Sequence, residues 1–302
     1  MKKNLKNLLI VTLLPLLSMT FISCEDHTFR EGKIFAGGQY VEAKDLNKGK
    51  MIYMDYCMAC HGVNGDGKGV SAKGMAVPPR DFTQGIYKFG NVLSGELLHD
   101  DDIERIIKHG LKGTAMLPWD MSKRQIYMVW NYIKTFSPDT WVGKEKKLGD
   151  KILPSKDPFG LAHKSSAIEK GKEVYHIVAQ CQTCHRGYAT KHELSEMNKK
   201  VNGEPLDASE FDNEMYQVKL QESEYNVKTL PPDFTWHHVR TGDSVEELYI
   251  RISAGVGGTA MPSWKDTISD EEIWAVAHYV NSLISLKDTP ARAILMQKLK
   301  NQ

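Results

Sequence analysis

Along the chain, apolar positions return at helical rather than strand spacing. In "SDEEIWAVAHYVNSLI" (Ser269 to Ile284), Ile273, Val276, Ala277 and Val280 recur every three or four residues and so share one helix face. Ser269 stands before them as an N-cap, with Glu272 three residues on as its capping-box partner. A second aromatic, apolar helix is predicted over "SKRQIYMVWNYIKTF" (Ser122 to Phe136). Each is preceded by a short amphipathic segment, "DDIERIIKHGLKGTAM" and "VEELYIRISAGVGGTAM". Further upstream stand two helical segments carrying Gly-Lys-x-x-Tyr, "GKMIYMDYC" from Gly49 and "GKEVYHIVAQC" from Gly171. Alternating strand patterns are scarce. The pattern predicts a helical chain made of two halves with one layout.

The order of pieces within the halves repeats as well. Each Gly-Lys-x-x-Tyr segment runs into Cys-x-x-Cys-His, "CMACH" (Cys57 to His61) and "CQTCH" (Cys181 to His185). A double-proline element follows, "PPRDFT" from Pro78 and "PPDFT" from Pro231. A Gly-Thr-Ala-Met loop then ends three residues before a tryptophan, at Met116 and Trp119 and at Met261 and Trp264. The halves span residues 44–140 and 166–288, with a linker at 141–165 ("PSKDPFG" at its centre) and a C-terminal tail at 289–302. The second half carries an insertion of mixed charge at about 191–228, which reads as a solvated excursion or as a partner-docking element.

The N-terminus follows a different rule. Lys2, Lys3 and Lys6 precede an apolar run from Leu8 to about Phe21 that Pro15 interrupts, too short for a membrane span, so residues 1–23 read as a secretory signal. Cys24 at the cleavage point resembles the lipidated cysteine of bacterial lipoproteins; the alternative is an ordinary signal peptide with an incidental Cys. On the lipoprotein reading, residues 24–43 form a tether. The expectation is an exported protein anchored through Cys24 to a membrane and facing the periplasm.

Composition adds an exclusion. With 302 residues the chain is long enough for two domains, and a formal net charge of +1 without a basic stripe argues against nucleic acid as a partner.

The five cysteines close without remainder as Cys24 and two Cys-x-x-Cys pairs. In an exported chain four Cys ordinarily suggest disulfides, but a His directly after each pair is the signature of c-type haem attachment. At the start of a helix, a spacing of three puts both thiols on one side of a turn, where they reach the two vinyl groups of one haem edge. The imidazole of His61 or His185 then binds the iron. A redox dithiol and a zinc site are the competing readings, and neither uses the His after each pair.

These matched pieces give the chain its resemblance to class I cytochromes c, over both halves and so over most of the mature chain. The resemblance implies an all-α fold of two tandem class I cytochrome c domains, each a few helices wrapped around one covalently attached haem, hence two haem c. It also implies that a loop Met supplies the sixth iron ligand: Met116 and Met261, with Met121 and Met75 as rivals in the first half. A thioether is soft and favours ferrous iron, which raises the potential and leaves no open position. None of the other histidines (His99, His109, His163, His176, His192, His237, His238, His278) repeats between halves. In the family a proline carbonyl holds the ligating His, so Pro78 or Pro79 and Pro231 or Pro232 are the candidates. Arg80 is a candidate propionate partner, and Trp119 and Trp264 are candidates to pack on the haem.

The function implied is a membrane-tethered carrier of single electrons between respiratory redox proteins, with no substrate bond made or broken and no small-molecule substrate. The alternatives are a dihaem peroxidase-like or thiosulfate-oxidising enzyme with one open haem, and a cytochrome subunit of a larger respiratory or dehydrogenase complex.

Overall fold

The computed structural model describes residues 28–212 and 214–301, so the signal segment 1–23 and Cys24 lie outside the described residues. Two short strands, β1 (Lys33–Phe35) and β2 (Gln39–Val41), form an antiparallel hairpin. Ten α-helices follow among the described residues. They are α1 (Ala43–Tyr56), α2 (Met58–His61), α3 (Asp100–His109), α4 (Lys123–Lys134) and α5 (Pro138–Trp141), then α6 (Lys164–Glu173), α7 (Lys191–Asn202), α8 (Val245–Ala254), α9 (Asp270–Ile284) and α10 (Pro290–Lys300). None of the described helices is long and apolar enough to cross a membrane.

Buried apolar side chains gather around two main cores. The first holds Leu46 and Tyr53 of α1, Ile103 and Ile107 of α3, and Val129, Trp130 and Ile133 of α4. The second holds Val174, Tyr175, Leu248, Ile252, Trp274, Ala277 and Val280. In both, the helix leading to Cys-x-x-Cys-His crosses the last helix of the half at a glycine. A Cβ on Gly49 would lie 2.1 Å from the Met128 carbonyl oxygen, and one on Gly171 2.0 Å from that of Ala275. No larger residue permits that approach, which is why Gly survives mid-helix despite its entropic cost. The capping boxes at Ser122, Ser244 and Ser269 set where α4, α8 and α9 begin.

The helical approach to Cys-x-x-Cys-His differs in length between the halves. Four positions separate Tyr53 from Cys57 and six separate Tyr175 from Cys181. The excess is taken up by a π turn over Val174–Val178 and by Gln180 at a left-handed φ of 47°. Both tyrosines keep one role nonetheless. Tyr53 Oη donates to the Gly62 carbonyl at 2.7 Å and Tyr175 Oη to the Arg186 carbonyl at 2.8 Å, each tying its helix to the residue just past the motif.

Three segments read from sequence as peripheral are built into the fold. Residues 33–41 of the expected tether form the hairpin, with Phe35 and Val41 fully buried in the first core. Lys134, 2% exposed, fastens that hairpin to α3 through Gln39 and Asp100 at 3.2 and 2.9 Å. The expected tail forms α10, whose Leu295 and Met296 pack on the second core. Along the linker, Ser155 Oγ accepts from the indole N–H of Trp274 at 2.9 Å, and Asp157 pairs with His278 at 2.9 Å.

Backbone hydrogen bonds cross between the halves: Ser94 N–H to the Ala254 carbonyl, Gly257 N–H to Lys88 and Lys112 N–H to Arg240, all at 3.0–3.1 Å. Buried Arg251 of α8 donates to the Gly90 carbonyl at 3.2 Å.

Candidate functional site

Both Cys-x-x-Cys-His motifs open on one cavity of about 1790 Å3 that runs between the halves. Cys57, Cys60, His61, Cys181, Cys184 and His185 all line it, and so do Met116 and Met261. None of these four cysteines is in a disulfide. Burial, with a smaller contribution from Cys60, pushes Cys57 up to about 12, and burial also pushes Cys181 up to about 12. Reactive redox dithiols ordinarily have the opposite property, a depressed pKa.

Each histidine is held from behind in the same manner. His61 Nδ1 lies 3.0 Å from the Arg80 carbonyl oxygen, and His185 Nδ1 lies 3.2 Å from that of Pro232. An Nδ1–H donating to a carbonyl leaves Nε2 as the free lone pair, the tautomer an iron ligand requires. Burial is the largest influence on both rings and lowers their pKa, which keeps the imidazoles neutral. In the first half the carbonyl is thus not that of Pro78 or Pro79. The reason is register: "DFT" rather than the prolines sets the turn, and the residue directly before Asp-Phe-Thr is Arg80 in one half and Pro232 in the other. Pro78, Pro79 and Pro231 line the cavity instead.

The phenylalanine of that shared "DFT" is a site residue that sequence reasoning missed. Phe82 stacks on His61 with centroids 4.5 Å apart, and Phe234 stacks on His185 at 4.9 Å, both within about 21° of parallel. Its repetition after both double-proline elements was the available signal.

The methionine loops are built alike as well. Leu111 N–H donates to the Met116 carbonyl at 2.8 Å, and Val256 N–H to the Met261 carbonyl at 3.1 Å. Within each turn a threonine bridges the ends. Thr114 Oγ1 donates to the Leu111 carbonyl and accepts from Met116 N–H, while Thr259 does the same between Val256 and Met261. Gly113 and Gly258 supply left-handed φ angles of 72° and 67°. Trp119 and Trp264 donate their backbone N–H to Ile107 and Ile252, which anchors each loop to its amphipathic helix. Both indoles line the cavity; that of Trp119 also meets the Tyr56 ring edge-on at 5.6 Å. Met121 is 6% exposed and packs in the first core, and it and Met75 also line the cavity.

Arg80, Lys88 and Arg240 bring positive charge to the same cavity. Burial, then Arg80 and Arg240, lowers Lys88 to about 8. The Arg80 guanidinium lies over the ring of Tyr225, 3.7 Å from its centroid. Tyr225 belongs to the inserted segment, which folds back onto the second half: Leu194 of α7 joins Ala189 and Met215 in a small third core.

Paired thiols, a neutral imidazole and a loop thioether, repeated twice around one large cavity edged with cations, fit haem c with its carboxylate side chains. Among the described residues there is no group of three or more His, Cys, Asp or Glu side chains that could hold a metal ion by themselves.

The family described as cytochrome c oxidase, cbb3-type, subunit III matches this chain over residues 44–133 and 166–280. A solved chain from the reducing HAO-like protein complex of Kuenenia stuttgartiensis is 32% identical, with a TM-score of 0.61 over 78% of this chain and 96% of that one. No curated protein matches the chain.

Proposed function

The chain belongs to the family of cytochrome c oxidase, cbb3-type, subunit III, a cytochrome c family holding haem c covalently, and from that premise we propose that it is a dihaem electron carrier. The observation that carries this reading is the duplicated site itself. Two Cys-x-x-Cys-His motifs, each with its His backed by a carbonyl and a Phe, and two Thr-braced Met loops line one cavity. At about 1790 Å3 that cavity exceeds the roughly 300–1,000 Å3 of an ordinary small-molecule site, which favours two cofactors over one.

Cys57, Cys60, Cys181 and Cys184 would form the thioether links, and His61, His185, Met116 and Met261 would be the iron ligands. When bound, haem c supplies one-electron ferric–ferrous chemistry. The protein residues bias and protect that chemistry. The Arg80 and Pro232 carbonyls orient the imidazoles, the Phe82 and Phe234 rings fix their planes, and the Met loops would present the thioethers. With both sites closed, the chain passes electrons between redox proteins and makes no substrate bond. Two tandem cytochrome c domains at 44–140 and 166–288, an exported chain, and a lipid anchor at Cys24 facing the periplasm complete the reading.

The likeness to a chain of an HAO-like complex favours a second reading, in which the protein is the cytochrome subunit of a larger redox assembly. Purification from detergent-solubilised membranes separates the two: a carrier elutes alone and a subunit with its complex. The central test is the haem content and optical spectrum of the purified protein. Two haem c per chain, with a Met–iron charge-transfer band of matching intensity, is the expected result. One high-spin haem that binds cyanide readily would replace the carrier reading with an enzymatic one.

A further inference from the structure

The insertion at 191–228 looks from its charge like a solvated excursion or a docking element, yet its last residues reach the centre of the molecule. Ser223 pairs in a β-bridge with Thr259, and Glu224 N–H donates to the Gly258 carbonyl at 3.0 Å. Tyr225 is 8% exposed, and its hydroxyl donates to the Gly257 carbonyl at 2.8 Å. These bonds grip the loop that presents Met261. The other face of Tyr225 belongs to the first half. Its ring carries the Arg80 guanidinium, and the backbone carbonyl of that same Arg80 holds His61. Arg80 has no carboxylate ion pair among the described residues, so the Tyr225 ring is its stacking partner within the protein.

The loop sequence records this arrangement. Where the first half has Lys112-Gly113, the second has Gly257-Gly258. A Cβ on Gly257 would lie 2.3 Å from the Tyr87 carbonyl oxygen, and one on Gly258 would lie 2.6 Å from the Tyr225 ring. The Met261 loop is therefore pressed between the first half and Tyr225, with no room for a side chain at either position.

We propose that Tyr225 is a positioning residue that couples the two haem sites, its hydroxyl bracing the Met261 loop and its ring holding Arg80, whose carbonyl braces His61. This rests on the dihaem reading above. The hydroxyl acts on the second site by keeping the thioether side in place. The ring acts on the first by holding a cation in a poorly hydrated position, where its charge favours the less positive ferrous state. Each half of the contact supports the other, so loosening either end is felt at both sites.

The experiment uses the full-length, haem-loaded protein. Optical redox titration of the wild type comes first, with Met116→His and Met261→His variants assigning each midpoint to its site. Tyr225→Phe keeps the ring and removes the hydroxyl. It lowers the second midpoint more than the first, shifting the sharing of one electron between sites up to about fivefold towards the first, the size of one hydrogen bond. Tyr225→Leu also removes the ring and lowers both midpoints. If Tyr225→Leu moves the second midpoint alone, or neither, the coupling is refuted. Should that variant fail to mature, Arg80→Gln keeps the backbone carbonyl and removes the cation: movement at both sites supports the coupling, and a second midpoint identical to wild type refutes it. A wild-type protein without two His–Met spectra overturns the dihaem reading instead, a result visible before any variant is made.

Discussion

The glycine crossing of α6 and α9 gives a prediction whose sign runs against helix propensity. Gly171 sits inside α6, and at an ordinary helix-interior site Gly→Ala stabilises by roughly 0.5–1 kcal/mol. Here the new Cβ would stand 2.0 Å from the Ala275 carbonyl oxygen and 2.7 Å from Tyr279 Cβ, where contacts below 3.0 Å are essentially never seen. The obstacle is backbone, so it does not rotate away, and α9 has to retreat by about 1 Å. A gap of that size forfeits about a quarter to a half of the dispersion energy of each contact along the seam. Overpacking of this kind costs about 1–3 kcal/mol, and more when backbone must move. Gly171→Ala is therefore expected to lose about 2 kcal/mol net, read as a lower urea midpoint at unchanged slope by far-ultraviolet circular dichroism. Glu169→Ala, on the exposed side of the same helix, serves as the control and changes little. A Gly171→Ala protein as stable as wild type, or more so, would refute the close crossing.

Three further outcomes follow from the same geometry. Thr259→Val removes a hydroxyl that both donates and accepts within the Met261 turn, so about 1–2 kcal/mol of local stability is lost. The charge-transfer band of the second site weakens while that of the first persists. His176 is 1% exposed; its Nδ1–H donates to the Lys172 carbonyl and its Nε2 accepts from Tyr188 N–H, so only the neutral ring fits, and burial lowers its pKa to about 4. Because the unfolded chain binds the proton more readily, the stability from this residue is complete above about pH 6.5 and is lost as pH falls towards 4, up to about 3 kcal/mol. His176→Gln flattens that part of a stability-versus-pH curve. Lys134→Met strips Asp100 and Gln39 of a shared cation and costs about 2 kcal/mol, with a lower thermal midpoint.

What could be read from sequence was whatever the chain says twice. The Cys-x-x-Cys-His pairs, the Met loops and the crossing helices repeat, and repetition separates them from composition. Phe82, Phe234 and the bracing threonines also repeat, but Phe and Thr have so many ordinary uses that their roles emerge only from stacking and hydrogen-bond geometry. The first carbonyl was misplaced onto a proline because Pro is conspicuous, whereas register follows the plainer Asp-Phe-Thr. Tyr225 lay beyond reach for a different reason. It occurs once, inside a polar segment, and its partners are a glycine carbonyl in one half and an arginine in the other. The burial of Phe35 and Leu299 likewise depends on long-range packing that local periodicity does not encode.

The linker bears on how this chain can be taken apart. Its ends are bonded to both halves, through Ile152 N–H to the Asn91 carbonyl on one side and through Ser155 and Asp157 to α9 on the other. Leu161, 96% exposed, stands just beyond these anchors. Covalent continuity at that point therefore adds little to what the surrounding bonds already hold. Two polypeptides divided there and produced together are expected to reassemble through these bonds, so one half can be exchanged for a variant copy while the other stays unchanged.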